Sequence, residues 1–390
     1  MPFIEPESTA GKKRKRVDAT ERSKKEKRTE SSNITLRESQ ILESRQHYNN
    51  IVDILRIAKD TKRAADRSEA LLALCRVFCR LIAGGDMTSS KGTPKSELTI
   101  IEWLKKQFKD YSDVLLDTVA SKTRDDVDAI ALLMQLIKAE TTSSVNSVDR
   151  PWTSGTFATL VGTLLRLTRL KDERAAFVHS YVNDYDDVRY YFLHVVSRIL
   201  DEAQDSGSED QLQQNALDML SGIEGIPGSD EELENFFGGA PEQKKHKLMS
   251  LSAHKKVAES AWLALLRTSL DKDQRKTVLR VMTDRIVPWF NRPELLMDFL
   301  TDSYDLGGAT SLLALSGLFH LMQEKNLDYP SFFSKLYSLL DHNLLHSKHR
   351  SRFFRLLNTF MSSTHLPAAL VASFIKRLAR LALHGPPAGI

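Results

Sequence analysis

The residues with the clearest potential for binding chemistry are six cations near the end of this 390-residue chain. They form two groups, and in each group they alternate with apolar residues at the spacing of an amphipathic helix. The six are Arg350, Arg352, Arg355, Lys376, Arg377 and Arg380. No Asp or Glu occurs in residues 342–390, so no carboxylate compensates their charge there. Because a basic helical surface attracts acidic protein or nucleic acid, we predict that these residues bind a partner.

Residue patterns that support catalysis or cofactor binding are absent from the sequence. It contains no phosphate-binding loop, dinucleotide-binding glycines, nucleophile elbow or HExxH metal motif. Cys75 and Cys79 could supply two metal ligands, but no second pair completes a tetrahedral site, and buried packing is the simpler interpretation. His342, His346 and His349 could share a face, yet no acidic residue lies between them to support a metal. We therefore expect no enzymatic activity, no cofactor and no metal.

Composition limits the class of protein. Apolar residues make up 41% of the chain and charged residues 27%, as in folded globular proteins. No apolar run approaches the ~18 residues of a membrane span, and the N-terminus lacks the apolar core of a secretory signal. Two cysteines exclude a disulfide framework and favour a reducing compartment. We expect neither a membrane nor a small-molecule substrate as a partner.

Two basic clusters lie in the first 32 residues, which are polar and are expected to be a disordered tail. The clusters consist of Lys12, Lys13, Arg14, Lys15 and Arg16, and of Lys24, Lys25, Lys27 and Arg28. Such a pair predicts a nuclear or nucleolar localisation signal. A solvated charged tail and a nonspecific RNA-binding arm remain alternatives.

Helical periodicity dominates the chain from residue 33, and no strand pattern competes with it. The pattern predicts helices at 65–83, 97–119, 125–140, 154–171, 186–203, 247–270, 273–286, 292–305, 309–325, 329–345, 347–361 and 367–383. Pairs of these helices recur every ~40 residues, the period of HEAT and armadillo repeats. The predicted fold is therefore all-α, an elongated α-solenoid with helical repeats at 33–203 and 246–390, and a compact all-α bundle is the alternative.

An acidic segment interrupts this pattern at residues 204–245. No Lys or Arg occurs between residues 199 and 243, and the segment is rich in Gly, Ser and Pro. These features predict a flexible insertion with one short helix at 212–220. We expect this insertion to be dispensable for folding, because it offers few apolar residues and many like charges.

The C-terminal residues also carry a resemblance. LDYPSFFSKLYSLLD, followed by LHSKHRSRFFRLLNTFMSSTHLPAALVASFIKRLARLAL, resembles the CCAAT-binding-factor domain family of nucleolar ribosome-assembly factors, and YDDVRYYFL and AHKKVAESAWLALLR extend the similarity. The resemblance implies a non-enzymatic scaffold of HEAT-like helices in the small-subunit processome, active in rRNA maturation. It also implies a nucleolar protein 14 type partner on the pre-ribosomal particle of the small subunit, held by the C-terminal half. Direct binding of pre-rRNA by the basic C-terminal helices is the alternative.

The sequence departs from this family after the segment Ile375 to Leu383. Family chains continue there with further helices, whereas this sequence stops at Ile390. We therefore expect an incomplete C-terminal domain. Its last helix would expose an apolar face unless a partner covers that face.

Overall fold

The computed structural model describes residues 33–60, 64–89, 93–121, 127–143, 149–206, 210–225, 227–241, 243, 246–325, 332–347, 350–362 and 366–385. These residues form helices and turns without a β-strand, which confirms the all-α prediction. The chain divides into two compact units, Met1–Thr163 and Leu164–Ile390. The division falls earlier than the predicted break at 203. Both basic N-terminal clusters lie outside the described residues.

The described residues of the first unit form six α-helices and most of a seventh. They are α1 (33–43), α2 (Asn50–Lys59), α3 (Ala64–Ala83), α4 (Lys95–Ser121), α5 (Ala129–Ser143), α6 (Arg150–Thr153) and α7 (Thr156–Arg166). The sequence predicted α3, α4 and α5 to within four residues at each end. None of the helices in the described parts of the chain combines the length and apolarity that crossing a membrane requires.

Within its described ranges, the second unit has ten further α-helices. They are α8 (Lys171–Phe177), α9 (Asp186–Ser206), α10 (Asp210–Ser221), α11 (Leu251–Leu266), α12 (Lys272–Val281), α13 (Met297–Asp305), α14 (Gly308–Lys325), α15 (Phe332–Ser338), α16 (Arg350–Met361) and α17 (Ala368–Ala382). Two π-helical turns, Val178–Val182 and Met282–Ile286, directly follow α8 and α12. The sequence did not predict α8, because seven residues without an apolar period give too weak a signal.

Helix α3 organises the core of the first unit. It contacts α2, α4 and α5, and its fully buried Phe78 stacks on Tyr111 with ring centroids 5.5 Å apart. The Tyr111 hydroxyl donates to the Leu71 carbonyl at 2.6 Å, so the buried phenol is satisfied. The helix ends where Gly85 adopts φ of 78°, a left-handed conformation that glycine accepts without strain.

Glu140 in α5 gives the first unit a pH-dependent stability. Burial raises the pKa of this half-buried carboxyl to about 7, although Thr156 donates a hydrogen bond to it at 3.4 Å. A raised folded-state pKa stabilises the fold below about pH 4.5, and this contribution is lost as pH rises through about 7.

We expect Glu140→Gln to stabilise the first unit by roughly 2 kcal/mol at pH 8, because the amide keeps an acceptor for Thr156 without burying a charge. At pH 4.5 the variant and the wild type should unfold alike. Urea unfolding at both pH values tests this, with the exposed Glu102→Gln as the matched control. An equal shift at the two pH values would show that ionisation of Glu140 is not the cause.

Helix α14 occupies the centre of packing in the C-terminal part of the second unit, where it contacts α12, α13 and α16. Five of its apolar side chains are at most 1% exposed: Leu313, Ala314, Leu315, Leu318 and Leu321. A Cβ atom added at Gly317 would lie 2.7 Å from Leu300 Cδ2, so glycine permits the close approach of α13. This core supports helix α16, which carries Arg350, Arg352 and Arg355.

The acidic segment differs from the flexible insertion that the sequence predicted. Its described residues include α10, and several of its apolar side chains are at most 5% exposed. These are Ala216, Leu217, Met219, Leu220, Ile223 and Leu233. Helix α10 contacts α8, α9, α11 and α12, so it is part of the core. The short helix predicted at 212–220 is confirmed as α10, but its burial was not predicted, because acidic residues surround its apolar stripe.

Buried carboxylates at the start of α9 hold the rest of this segment. Asp187 is 2% exposed and accepts backbone hydrogen bonds from Phe237 at 2.9 Å and Gly238 at 2.8 Å. Asp186 accepts another from Asn235 at 3.1 Å and pairs with the buried Arg189. Burial raises the pKa of Asp187 and lowers that of Arg189. These contacts fix residues 233–238 against α9.

Candidate partner-binding surface

Helix α16 is fixed by three buried side chains one turn apart, Phe353, Leu357 and Phe360. The Phe360 ring meets Phe319 of α14 edge-on with centroids 4.4 Å apart, and it lies 4.7 Å from Phe332 of α15. This packing turns the opposite face of α16 toward solvent. That face carries Arg355 among exposed polar residues.

Helix α17 buries fewer side chains than α16 does. Phe374 is 1% exposed and Leu381 4% exposed, seven residues apart on one face. The Phe374 ring meets Tyr337 of α15 edge-on at 5.3 Å. Ile375 directly follows Phe374 in the sequence, but it is 63% exposed. At 100° per residue, Ile375 points well away from Phe374 once Phe374 and Leu381 set the rotation of the helix.

The structure separates the six predicted cations into two classes. Arg355, Lys376 and Arg380 are exposed and form no ion pair with any described residue. We call them the solvent cations. The other three are half-buried and donate hydrogen bonds inside the unit: Arg350 to the Leu345 carbonyl at 3.2 Å, Arg352 to Ser316 Oγ at 2.8 Å, and Arg377 to the Leu340 carbonyl at 2.9 Å. The guanidinium groups of Arg350, Arg352 and Arg377 are therefore held by contacts within the unit.

An apolar stripe on α17 was not recognised from the sequence. Its exposed members are Ala372, Ile375, Ala379 and the helix cap Leu383, which is 80% exposed. Spacings of three, four and four residues place them on one face, opposite Phe374 and Leu381. Lys376 and Arg380 lie along the edge of this face. The spacing alone could have revealed the stripe, but alanines give a weak apolar signal.

The three histidines considered as metal ligands lie near α16 in the sequence. His342 and His346 are exposed, and His349 lies outside the described residues. Within the part of the chain that the structure describes, no three His, Cys, Asp or Glu side chains come together in a way that could hold a metal ion. The surface can therefore offer apolar contact and positive charge, which are the properties of a macromolecular docking face.

Two family models match this chain. The chain matches a sequence model described as nucleolar complex protein 4-like, TPR repeats, over residues 22–205. It matches the CBF/Mak21 family over residues 311–390, a span that includes α14 to α17. These matches confirm the helical-repeat class and the resemblance to CCAAT-binding-factor proteins. The surface formed by α16 and α17 lies inside the second match.

Individual relatives cover most of the chain. An uncharacterised protein of Schizosaccharomyces pombe is 37% identical over 90% of this chain and 74% of its own length. Nucleolar complex protein 4 of Saccharomyces cerevisiae is 32% identical over 89% of this chain and 68% of its own length. Its homolog in Mus musculus is 34% identical over 89% and 70%. The chain belongs to the nucleolar complex protein 4 family, whose members are nucleolar factors of ribosome biogenesis.

Proposed function

We propose that this chain is a non-enzymatic scaffold of the small-subunit processome that supports maturation of the small ribosomal subunit and its rRNA. It acts through protein contacts with a nucleolar protein 14 type partner on the pre-ribosomal particle. The observation that carries this proposal is the exposed face of α17, where Ile375 and Leu383 lie beside Lys376 and Arg380. Basic clusters at Lys12–Arg16 and Lys24–Arg28 favour nucleolar import.

The combination of apolar and basic residues favours a protein partner. Ile375 is 63% exposed and Leu383 is 80% exposed. Covering these apolar side chains with a partner lowers the free energy of the complex. The flanking cations orient an acidic partner and speed its association, while the buried apolar anchors hold the complex. An amphipathic partner helix with acidic flanks satisfies both requirements.

Direct binding of pre-rRNA is the second candidate. It is favoured by the three solvent cations and by the absence of Asp and Glu from residues 342–390. Phosphate binding releases counterions, so its affinity falls with salt by a log–log slope near one unit for each neutralised phosphate. An apolar helix interface responds far less to salt. A salt titration of the complex therefore separates the two candidates.

We expect the triple variant Arg355→Glu, Lys376→Glu, Arg380→Glu to bind the nucleolar protein 14 type partner at least about tenfold more weakly. Its helicity should stay unchanged, because all three side chains are exposed. Co-purification and equilibrium binding at moderate salt measure the effect, and circular dichroism checks the fold.

The matched control reverses three exposed lysines in the first unit, Lys105, Lys106 and Lys109. It changes the net charge by the same amount and should leave partner binding intact. A second control, Arg352→Gln with Arg377→Gln, removes internal hydrogen bonds and should lower stability. Wild-type affinity in the triple variant would place the interface elsewhere on the chain.

A further inference from the structure

Ser229 lies at the start of a single 3-10 turn, Asp230–Glu232, in the acidic segment. Its backbone is extended, with φ of −145° and ψ of 167°, and its side chain is exposed. A serine at this position usually caps the turn with its hydroxyl. Here the hydroxyl makes no capping hydrogen bond within the described residues, so the Oγ atom is open to solvent.

Neighbouring carboxylates, not the Ser229 hydroxyl, make the side-chain hydrogen bonds that anchor this turn. Glu232 Oε2 accepts the Gly228 N–H at 2.8 Å, and Asp230 Oδ1 accepts the Leu251 N–H at the first residue of α11 at 2.6 Å. The Ser229 hydroxyl is therefore not needed for the local structure. Its neighbours are held in place while the hydroxyl stays accessible.

The charged residues that follow Ser229 in the sequence are all acidic. The next three residues are Asp230, Glu231 and Glu232, and Glu234 follows; all four are exposed. No Lys or Arg occurs from residue 199 to residue 243. Carboxylates immediately after a serine are what an acidophilic protein kinase recognises with its own basic residues, and a basophilic kinase is repelled by them. Exposure of the hydroxyl and the sign of the flank thus point to the same class of enzyme.

We propose that Ser229 is a phosphorylation site for an acidophilic serine/threonine kinase. The γ-phosphoryl group of ATP transfers to Ser229 Oγ. The new Oγ–P bond forms as the bond from the γ-phosphorus to the β,γ-bridging oxygen breaks; ADP leaves, and the hydroxyl proton passes to the catalytic Asp of the kinase.

Access requires only a local change. The 3-10 turn is closed by two backbone hydrogen bonds of 3.3 Å, from Glu232 to Ser229 and from Leu233 to Asp230. Both backbone bonds are long and the turn lies at the surface, so it can open into the extended form that a kinase binds once the side-chain bonds of Asp230 and Glu232 also release. Phosphorylation adds a charge of about −1.5 to −2 at pH 7 to a surface that already carries four exposed carboxylates.

The test incubates the full chain with ATP and a purified acidophilic kinase, casein kinase 2, and locates phosphate by mass spectrometry. We expect Ser229 to be modified rapidly and Ser229→Ala to lose that phosphopeptide. Ser252 is the matched control: it is an exposed serine in the same unit, but Lys255 and Lys256 follow it. It should stay unmodified.

A flank variant separates recognition from accessibility. Asp230→Asn with Glu232→Gln keeps side-chain oxygens for the Leu251 and Gly228 N–H groups but removes both charges. We expect it to lower kcat/KM at Ser229 by about tenfold or more. Absence of phosphate at Ser229 in the wild type, while a control peptide is modified, would overturn the proposal. An unchanged rate in the flank variant would overturn the acidophilic assignment.

Discussion

Replacing residues 210–241 with a Gly/Ser linker is expected to unfold the second unit at ordinary temperature. The replacement removes α10 and Leu233, and with them at least six apolar side chains that are at most 5% exposed. Truncating a single buried Leu costs about 2–5 kcal/mol, and a whole domain is stable by only about 5–15 kcal/mol. The lost packing therefore exceeds the stability available to the unit.

The linker variant also removes partners that buried carboxylates need. Asp186 and Asp187 would lose the N–H groups of Asn235, Phe237 and Gly238. Each buried acceptor left unsatisfied costs about 1–3 kcal/mol more.

Thermal melting and circular dichroism measure the result. Leu217→Ala is the graded version of the change, and we expect it to cost about 2–5 kcal/mol, because Leu217 is 1% exposed. The exposed Glu231→Ala in the same segment is the matched control and should change stability by under about 0.5 kcal/mol. A linker variant that melts within a few degrees of wild type would show that the segment is dispensable, as its composition suggested.

Arg189→Met is expected to lower the free energy of unfolding by about 3–5 kcal/mol. Arg189 is 3% exposed, and it pairs with Asp186, which is 5% exposed. Removing the cation leaves a buried carboxylate whose charge no partner compensates. The loss is larger than that of an exposed pair, for which the usual value is about 0–1 kcal/mol.

The double variant Arg189→Met with Asp186→Asn supplies the control. Replacing both members of a buried pair is often nearly neutral, so the double variant should recover much of the lost stability. The side-chain amide oxygen introduced by Asp186→Asn can still accept the Asn235 N–H. Urea unfolding of the four proteins in the cycle gives the coupling free energy. Additive effects of the two substitutions would show that the pair does not act as a unit.

Sequence reasoning worked best where apolar period and length agreed. Helix α9 begins at Asp186 as predicted, and α17 spans Ala368–Ala382 against a prediction of 367–383. The sequence also located α10 correctly, but its burial was not predicted, because the charge and Gly content of the segment outweighed the stripe of Leu217 and Leu220. Polar partners far away in sequence, such as Asp187 with Gly238, cannot be read from a local window.

For the candidate surface, too, the sequence predicted one part and the tertiary structure determined the rest. Sequence identified all six cations, but their roles depend on how each helix rotates against its neighbours. Phe374 against Tyr337 sets that rotation in α17, so Arg377 is turned inward and Lys376 outward. Two adjacent cations therefore have different roles: Arg377 donates a hydrogen bond inside the unit, and Lys376 faces solvent. Only tertiary contacts distinguish them.

The most direct test of the proposed scaffold role is purification of the tagged chain from nucleoli, with and without nuclease, followed by identification of its proteins and pre-rRNA. We predict that it carries precursors of the small-subunit rRNA and a nucleolar protein 14 type partner, and that this partner remains after nuclease treatment. Recovery of large-subunit precursors instead, or loss of the partner when RNA is digested, would contradict a protein-held scaffold of the small-subunit particle.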